Sequence, residues 1–197
     1  MDLTTMRSII RRDLKDEDAG NYRWSDDELD RHIARTVSEF SEAVPFPAKA
    51  TLPTTADSRV IDISSLTDRV MVEAVEYPLG LFPPSYQRFA LWGHALTLFG
   101  DEVPDGSDCN VYYGMLHTLD TEGSTIPSKH EDLIATGAEG YAAVEWASYA
   151  INRVSVGGTT TPKEFLAWGN ERLKQFRSEL RRLGRRHQVR IRQLYHQ

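Results

Sequence analysis

The sequence predicts an α+β protein: an antiparallel bundle of about four helices, an all-β insertion between helices 2 and 3, and an extended C-terminal tail. Three observations lead to this architecture. Apolar residues recur at three- and four-residue spacing near both ends of the chain, which is the helical period. Between residues 49 and 119 this period gives way to short β-branched and aromatic stretches separated by turn residues. After Gly184 the chain becomes basic and alternates apolar side chains with arginines.

Two helices are predicted in the first 45 residues. The first, over residues 2–15, carries one apolar stripe at helical spacing, made of Leu3, Met6, Ile10 and Leu14. Ser25 and Glu28 have the spacing of a capping box, in which the hydroxyl and the carboxylate each accept a hydrogen bond from the other residue's amide. This signal predicts a second helix over residues 26–43, which Pro45 and Pro47 end.

Six short strands are predicted in the middle of the chain, a pattern typical of a small antiparallel sandwich or barrel-like module. Their expected ranges are 48–54, 59–63, 70–77, 87–92, 95–99 and 111–119. The fourth and fifth ranges are also compatible with one helix, because their apolar residues fit either period. The pattern favours strands.

A second pair of helices is predicted after the β segment. Ser128 and Glu131 suggest another capping box, and a third helix follows over residues 128–153. Its many alanines and glycines indicate a central helix that neighbours approach closely. Thr161 as N-cap and Pro162 in the first turn predict a fourth helix, with Gly184 as the residue that ends it.

These elements predict three regions. The two helical pairs must pack together, because neither has another partner for its apolar stripe. We therefore expect one helical domain built from residues 1–47 and 127–184, an inserted β module at 48–126, and an extended basic tail at 185–197.

Composition narrows the class of protein. The chain has 197 residues, of which 40% are hydrophobic and 26% charged, so it suits a globular protein rather than a disordered one. Cys109 is the single cysteine, which excludes an intrachain disulfide and an all-cysteine metal site. The sequence has no run of about 18 apolar residues, and its start indicates a charged helix rather than a signal peptide. We expect a cytoplasmic product without a membrane partner.

Residues with catalytic or metal-binding potential form no convincing site. The six histidines show no H-E-x-x-H or comparable spacing. His130, Glu131 and Asp132 are adjacent, but acids at the start of a helix are expected from the helix dipole alone. Cys109 has no basic partner at a diagnostic spacing. We therefore expect no enzymatic activity, no metal and no cofactor.

Positive charge is concentrated at the C-terminus. Residues 172–197 hold nine arginines and lysines against one acid, whereas residues 1–171 hold 14 basic residues and 28 acids. A basic segment on an acidic body suits contact with nucleic acid, an acidic membrane surface or an acidic protein.

The end of the chain also alternates in the manner of a strand. Val189, Ile191 and Gln193 would face one side, and Arg190, Arg192 and Leu194 the other. Three interpretations stay open. The strand pairs with the protein's own β module, or it adds to a sheet edge of another chain, or its arginines contact phosphates.

Several motifs together resemble a known family. They are Y-R-W-S-D-D-E-L-D at residues 22–30, I-D-I-S-S-L at 61–66, H-E-D-L at 130–133 before the alanine- and glycine-rich helix, and the basic C-terminus. In this order, with a β module between two helical pairs, they resemble the head–tail connector, or adaptor, proteins of tailed bacteriophages. The similarity covers nearly the whole chain.

The resemblance implies a structural role without catalytic residues or cofactors. Connector subunits form a ring, typically of twelve, below the portal, and DNA passes through the ring's lumen. The implied location is the head–tail junction of the virion, with assembly in the cytoplasm of the bacterial host. The helical bundle and the C-terminal tail would contact the portal protein. The β module would face a tail-side neck or nozzle protein, or a tail terminator.

The residues expected to contact the portal lie in the tail. They are Arg185, Arg186, Val189, Arg190, Ile191, Arg192, Leu194 and Tyr195. The alternative function is that of a DNA-binding accessory protein acting through the same basic segment, whose phosphate contacts would make binding strongly salt-dependent.

Overall fold

The computed structural model describes residues 1–100, 103–150 and 162–193, which form four α-helices and two antiparallel sheets. The helices are α1 (Leu3–Leu14), α2 (Asp26–Ala43), α3 (Glu131–Ala150) and α4 (Pro162–Gln193). The strands are β1 (Phe46–Pro53), β2 (Val60–Asp62), β3 (Arg69–Glu76), β4 (Tyr86–Gln87), β5 (Phe89–Trp92), β6 (Ala95–Leu98) and β7 (Asp108–Met115). The mixed α and β class is as predicted.

The chain divides into two compact units. The helical unit comprises Met1–Val44 and His117–Gly184, and the β unit comprises Pro45–Leu116 and Arg185–Gln197. The described residues from Arg185 onward therefore group with the strands, and the part of α4 up to Gly184 groups with the helices.

Capping interactions define both ends of α1 and the start of α2. The Asp2 carboxylate accepts a hydrogen bond from the Thr5 amide at 2.7 Å, and Lys15 ends α1 in the left-handed region at φ 55°. The capping box of α2 is confirmed: the Glu28 amide donates to the Ser25 hydroxyl at 3.3 Å, and the Ser25 amide donates to the Glu28 carboxylate at 2.7 Å.

A buried arginine joins the start of α2 to the end of α1. The Arg11 guanidinium donates to the Asp16 carboxylate at 2.6 Å, to the Trp24 carbonyl at 2.9 Å and to the Asp26 carboxylate at 2.7 Å. It also stacks on the Tyr22 ring, 3.6 Å from its centroid. Asp16 is also buried, so water does not stabilise either charge, and each is stabilised by the other instead.

The second predicted capping box is wrong. Ser128–His130 form a 3-10 turn after Pro127, without a side-chain cap, and α3 begins only at Glu131. Pro127 occupies the N-cap position and its side chain has no hydrogen-bonding atom, so the turn begins without a side-chain cap. The predicted N-cap of the fourth helix, Thr161, lies outside the described residues.

The predicted extended tail is also wrong over its described part. Helix α4 continues through Gly184 to Gln193, and Gly184 does not adopt the left-handed conformation of a terminating glycine. The cause is an inward stripe at helical spacing that runs past the glycine, made of Leu173, Phe176, Leu180, Leu183 and His187. Arginine is a good helix former, so the short apolar–basic alternation does not oppose the helix.

The core of the helical unit depends on close approach between helices. Phe40 of α2 and Phe176 of α4 are fully buried in it. A Cβ added at Gly137 of α3 would lie 2.5 Å from Cγ2 of Thr36 and 3.1 Å from the Phe176 ring. The glycine is therefore required by the packing of α3 against its neighbours.

The β unit contains a four-stranded sheet ordered β1-β7-β3-β4 and a three-stranded sheet ordered β2-β6-β5. All pairs are antiparallel, and β3 carries two register shifts against β7. One apolar core is shared by the two sheets, with Ile61 and Leu96 from one and Val75 and Val111 from the other. The strand interpretation of residues 87–99 is confirmed, and the last strand begins at Asp108, earlier than predicted.

Candidate interaction surface

Helix α4 carries a continuous basic face. Its inward stripe leaves six arginines and lysines exposed at helical spacing: Lys174, Arg177, Arg181, Arg182, Arg185 and Arg186. Lys174 pairs with Glu171 at 3.3 Å and Arg182 pairs with Glu179 at 2.6 Å. Six cations beside these two carboxylates leave a net positive charge on the helix. The face therefore suits an anionic surface.

The structure places the predicted portal-contact residues on a helix rather than a strand. Arg185 and Arg186 are exposed on the basic face of α4. The backbone of Val189, Arg190, Ile191 and Arg192 belongs to the same helix. Leu194 and Tyr195 lie outside the described residues. Successive residues of a helix point about 100° apart, so the alternation that suggested two opposite faces does not apply here.

The His187 side chain, near the end of α4, contacts a strand of the β unit. Nε2 of His187 lies 3.1 Å from a carboxylate oxygen of Glu73 on β3, and both side chains are nearly buried. The two residues belong to the β unit. This contact gives a physical reason for the grouping of the last residues with the strands.

A buried carboxyl group with a strongly raised pKa lies in the helical unit. Burial raises the pKa of Glu139 on α3 to about 7, Arg172 on α4 opposes that rise, and hydrogen bonding to Asp13 adds to it. The Arg172 guanidinium is 2.9 Å from the Glu139 carboxylate, yet that oxygen accepts no well-directed hydrogen bond. The pair therefore compensates only part of the cost of burying the charge.

Glu139 predicts a specific pH dependence of stability. Its ordinary pKa is 4.5 and its pKa in the folded protein is about 7. Between these values the folded protein keeps a proton that the unfolded chain has released, so its contribution to stability falls as pH rises. The Glu139→Gln variant should lack this fall, which is at most about 3 kcal/mol. Urea unfolding of both proteins at pH 5 and pH 8 measures it; parallel pH dependences would contradict the assignment.

The described residues show no cluster of three or more histidine, cysteine, aspartate or glutamate side chains able to hold a metal ion. Cys109 is fully buried, and burial raises the pKa of its thiol, which disfavours the reactive thiolate. The His130 ring lies tilted against the Phe40 ring, with 5.3 Å between the ring centroids. Cys109 and His130 are therefore both packed against other residues of the fold.

A second surface, which the sequence analysis missed, lies on the β unit. Phe82 is 99% exposed and Trp92 is 89% exposed, and Leu81, Leu91 and Phe99 are exposed as well. The signal was present in the sequence: residues 78–100 contain no aspartate or glutamate, in a chain with 29 of them. Apolar side chains left in water on this scale are typical of a protein–protein contact.

A cavity of about 320 Å³ lies beside this surface. Its wall includes Tyr77, Leu81, Gln87 and Leu98. The Gln87 side-chain amide donates to the Tyr77 carbonyl at 2.6 Å and to the Ser85 hydroxyl at 3.0 Å, which joins the two ends of the loop between β3 and β4. The wall residues include no carboxylate, imidazole or amine, so the cavity suits packing rather than proton transfer.

Comparison with known proteins gives no assignment. No protein-family model matches the chain, and no curated protein matches it. Across the described part of the chain, no helix combines the length and the apolar character needed to span a membrane.

Proposed function

We propose that the protein is a structural head–tail connector of a tailed bacteriophage. Twelve copies form a ring below the portal, the four helices of each act as one bundle carrying the β unit as an insertion, and DNA passes through the lumen. The proposal starts from the resemblance in motif order. It is supported by two surfaces of different chemistry, one basic and one apolar.

The observation that carries the proposal is the exposed basic face of α4. In this proposal it contacts the portal as a helix, through Arg185 and Arg186 and the turn that follows them. The exposed apolar surface of the β unit faces a tail-side neck, nozzle or tail-terminator protein. Electrostatic complementarity would guide the basic face to an acidic portal surface and fix its orientation there.

Reversing one charge tests the basic face. The Arg186→Glu variant should bind the portal protein of the same phage at least tenfold more weakly, because one attraction becomes a repulsion. Lys163→Glu makes the same charge change at the other end of α4 and is the matched control. Electron microscopy of each protein mixed with the portal shows whether coaxial rings form. Equal ring formation by both variants would remove the basic face from the contact.

A second candidate function is DNA binding by the same helix. The exposed residues Lys174, Arg177, Arg181 and Arg185 follow one another at three- and four-residue spacing, which could track phosphates. Titration of duplex DNA at low and moderate salt tests this candidate. Binding that weakens steeply with salt would support it, and the absence of binding at low salt would exclude it.

A further inference from the structure

Strand β5 lies at the edge of the three-stranded sheet, and its outer hydrogen-bonding groups can be identified. The Phe99 amide donates to the Arg88 carbonyl at 2.8 Å, and Trp92 pairs with Ala95 across the turn at Gly93. In an antiparallel pair, residues alternate between bonding to their partner and pointing away from it. Arg88, Ala90 and Trp92 therefore bond to β6, and the amides and carbonyls of Phe89 and Leu91 point to the open edge.

This edge lacks the features that normally protect one. Its sequence, F-A-L-W, contains no charge, no proline and no bulge, and Ala90, Leu91 and Trp92 are exposed. In the part of the chain that the structure describes, no strand pairs with it. An exposed apolar edge with free main-chain groups is a template for another strand.

We propose that β5 pairs antiparallel with β5 of a second copy of this chain. With the two-fold axis at Ala90, Phe89 lies opposite Leu91 of the second copy, and Leu91 lies opposite Phe89. These are the residues whose main-chain groups point outward, so the two pairs form four hydrogen bonds. The two three-stranded sheets then become one sheet of six strands.

Charge and side-chain chemistry favour a second copy as the occupant. Arg88 is the only arginine, lysine, aspartate or glutamate in residues 78–100. The same register places Arg88 opposite Trp92 of the second copy, where the guanidinium can lie over the indole ring. It also places the two arginines at opposite ends of the paired strands, so they do not repel each other at close range. Trp92, 89% exposed in the single chain, gains a partner.

The contact goes beyond the proposed function, because it needs neither portal nor ring. It gives the free protein a way to cover its β5 edge before assembly. Its test uses the purified chain alone, so a failure of ring formation on the portal leaves the result unaffected.

A cysteine at the two-fold axis tests the register directly. Ala90 lies opposite Ala90 of the second copy, and these two residues are not hydrogen-bonded to each other. The Cα atoms of such a pair are about 4.5 Å apart, which is within the range of a disulfide. The Ala90→Cys variant should therefore form a covalent dimer under mild oxidation. Leu91→Cys is the matched control, since its side chain points to the other face and lies opposite Phe89. Native Cys109 is fully buried and does not compete. Equal cross-linking of the two variants would overturn the proposal.

Removing one outward amide tests the hydrogen bonds. Leu91→Pro deletes a donor at the open edge but none that bonds to β6, so proline is tolerated there. Leu91→Ala loses the same side chain and keeps the amide. Sedimentation should show a dimer dissociation constant at least tenfold higher for Leu91→Pro than for Leu91→Ala. A wild-type protein that stays monomeric up to about 1 mM would also overturn the proposal.

Discussion

Replacing Arg11 with methionine is expected to lower the free energy of unfolding by about 3–5 kcal/mol. The substitution leaves the Asp16 carboxylate buried without its cation and also removes the hydrogen bonds to the Trp24 carbonyl and to Asp26. Methionine fills a similar volume, so the loss reports the uncompensated charge rather than a cavity. Urea unfolding followed by fluorescence of the buried Trp24 measures the change.

The neighbouring arginine provides the control for this prediction. The Arg12 side chain is 61% exposed and its nearest carboxylate, Asp13, is 3.6 Å away. Arg12→Met should change the free energy of unfolding by less than about 0.5 kcal/mol. The double variant Arg11→Met/Asp16→Asn should recover part of the loss, because it no longer buries an unpaired charge. A similar cost for Arg11→Met and Arg12→Met would contradict the role of the buried arginine.

Adding one methyl group at Gly137 is expected to destabilise the protein by about 1–2 kcal/mol, although alanine is the better helix former by about 1 kcal/mol. The new Cβ would lie 2.5 Å from Thr36, whose branched side chain is fully buried and cannot move away easily. Helices α2 and α3 would have to separate, and the contacts around Phe176 would loosen.

Gly184→Ala is the matched comparison within α4. Its added Cβ would lie 3.6 Å from the Ala43 carbonyl, an ordinary contact, and Gly184 does not have a positive φ. The helix-propensity gain should therefore appear as a stabilisation of about 0.5–1 kcal/mol. Thermal unfolding of the two variants beside the wild type measures both effects. If the midpoint temperatures of the two variants shifted in the same direction, close packing would not be the cause of the destabilisation at Gly137.

Local signals in the sequence were sufficient for much of the fold. The Ser25 capping box and the apolar stripe from Leu3 to Leu14 predicted the first two helices to within one residue at each end. The prolines after α2 predicted its end, and the change of period predicted strands after it. The first strand nevertheless begins at Phe46, two residues before its predicted start, and the predicted 87–92 strand is divided into β4 and β5. These signals act within a few residues of each other, so they can be identified without knowledge of tertiary contacts.

The end of the chain shows where such signals fail. Gly184 has the identity of a helix terminator and the residues after it alternate like a strand, yet α4 continues to Gln193. Leu180 is buried in the helical unit, and within the β unit His187 contacts Glu73, 114 positions away in the sequence. A contact between residues so far apart produces no periodic pattern in the sequence. Tertiary packing therefore overrides the local signals that predicted a helix end at Gly184.

The candidate surfaces were predicted unevenly. The basic character of α4 was evident from the sequence, and its exposed face follows once the helix and its inward stripe are known. The apolar surface around Phe82 and Trp92 was missed, because aromatic residues in and beside strands normally indicate a core. Phe82 lies in the loop between β3 and β4, and Trp92 is the last residue of β5, and the sequence does not show which elements cover these positions.

The placement of aromatic and sulfur-containing side chains has a practical consequence. Trp24, Trp146 and Trp168 belong to the helical unit, and the fully buried Cys109 belongs to the β unit. Tryptophan fluorescence therefore follows mainly the unfolding of the helices, while the rate at which a thiol reagent labels Cys109 follows the opening of the sheets. One sample of unmodified protein thus carries a separate reporter for each unit, and comparing their midpoints in urea shows whether the two unfold together.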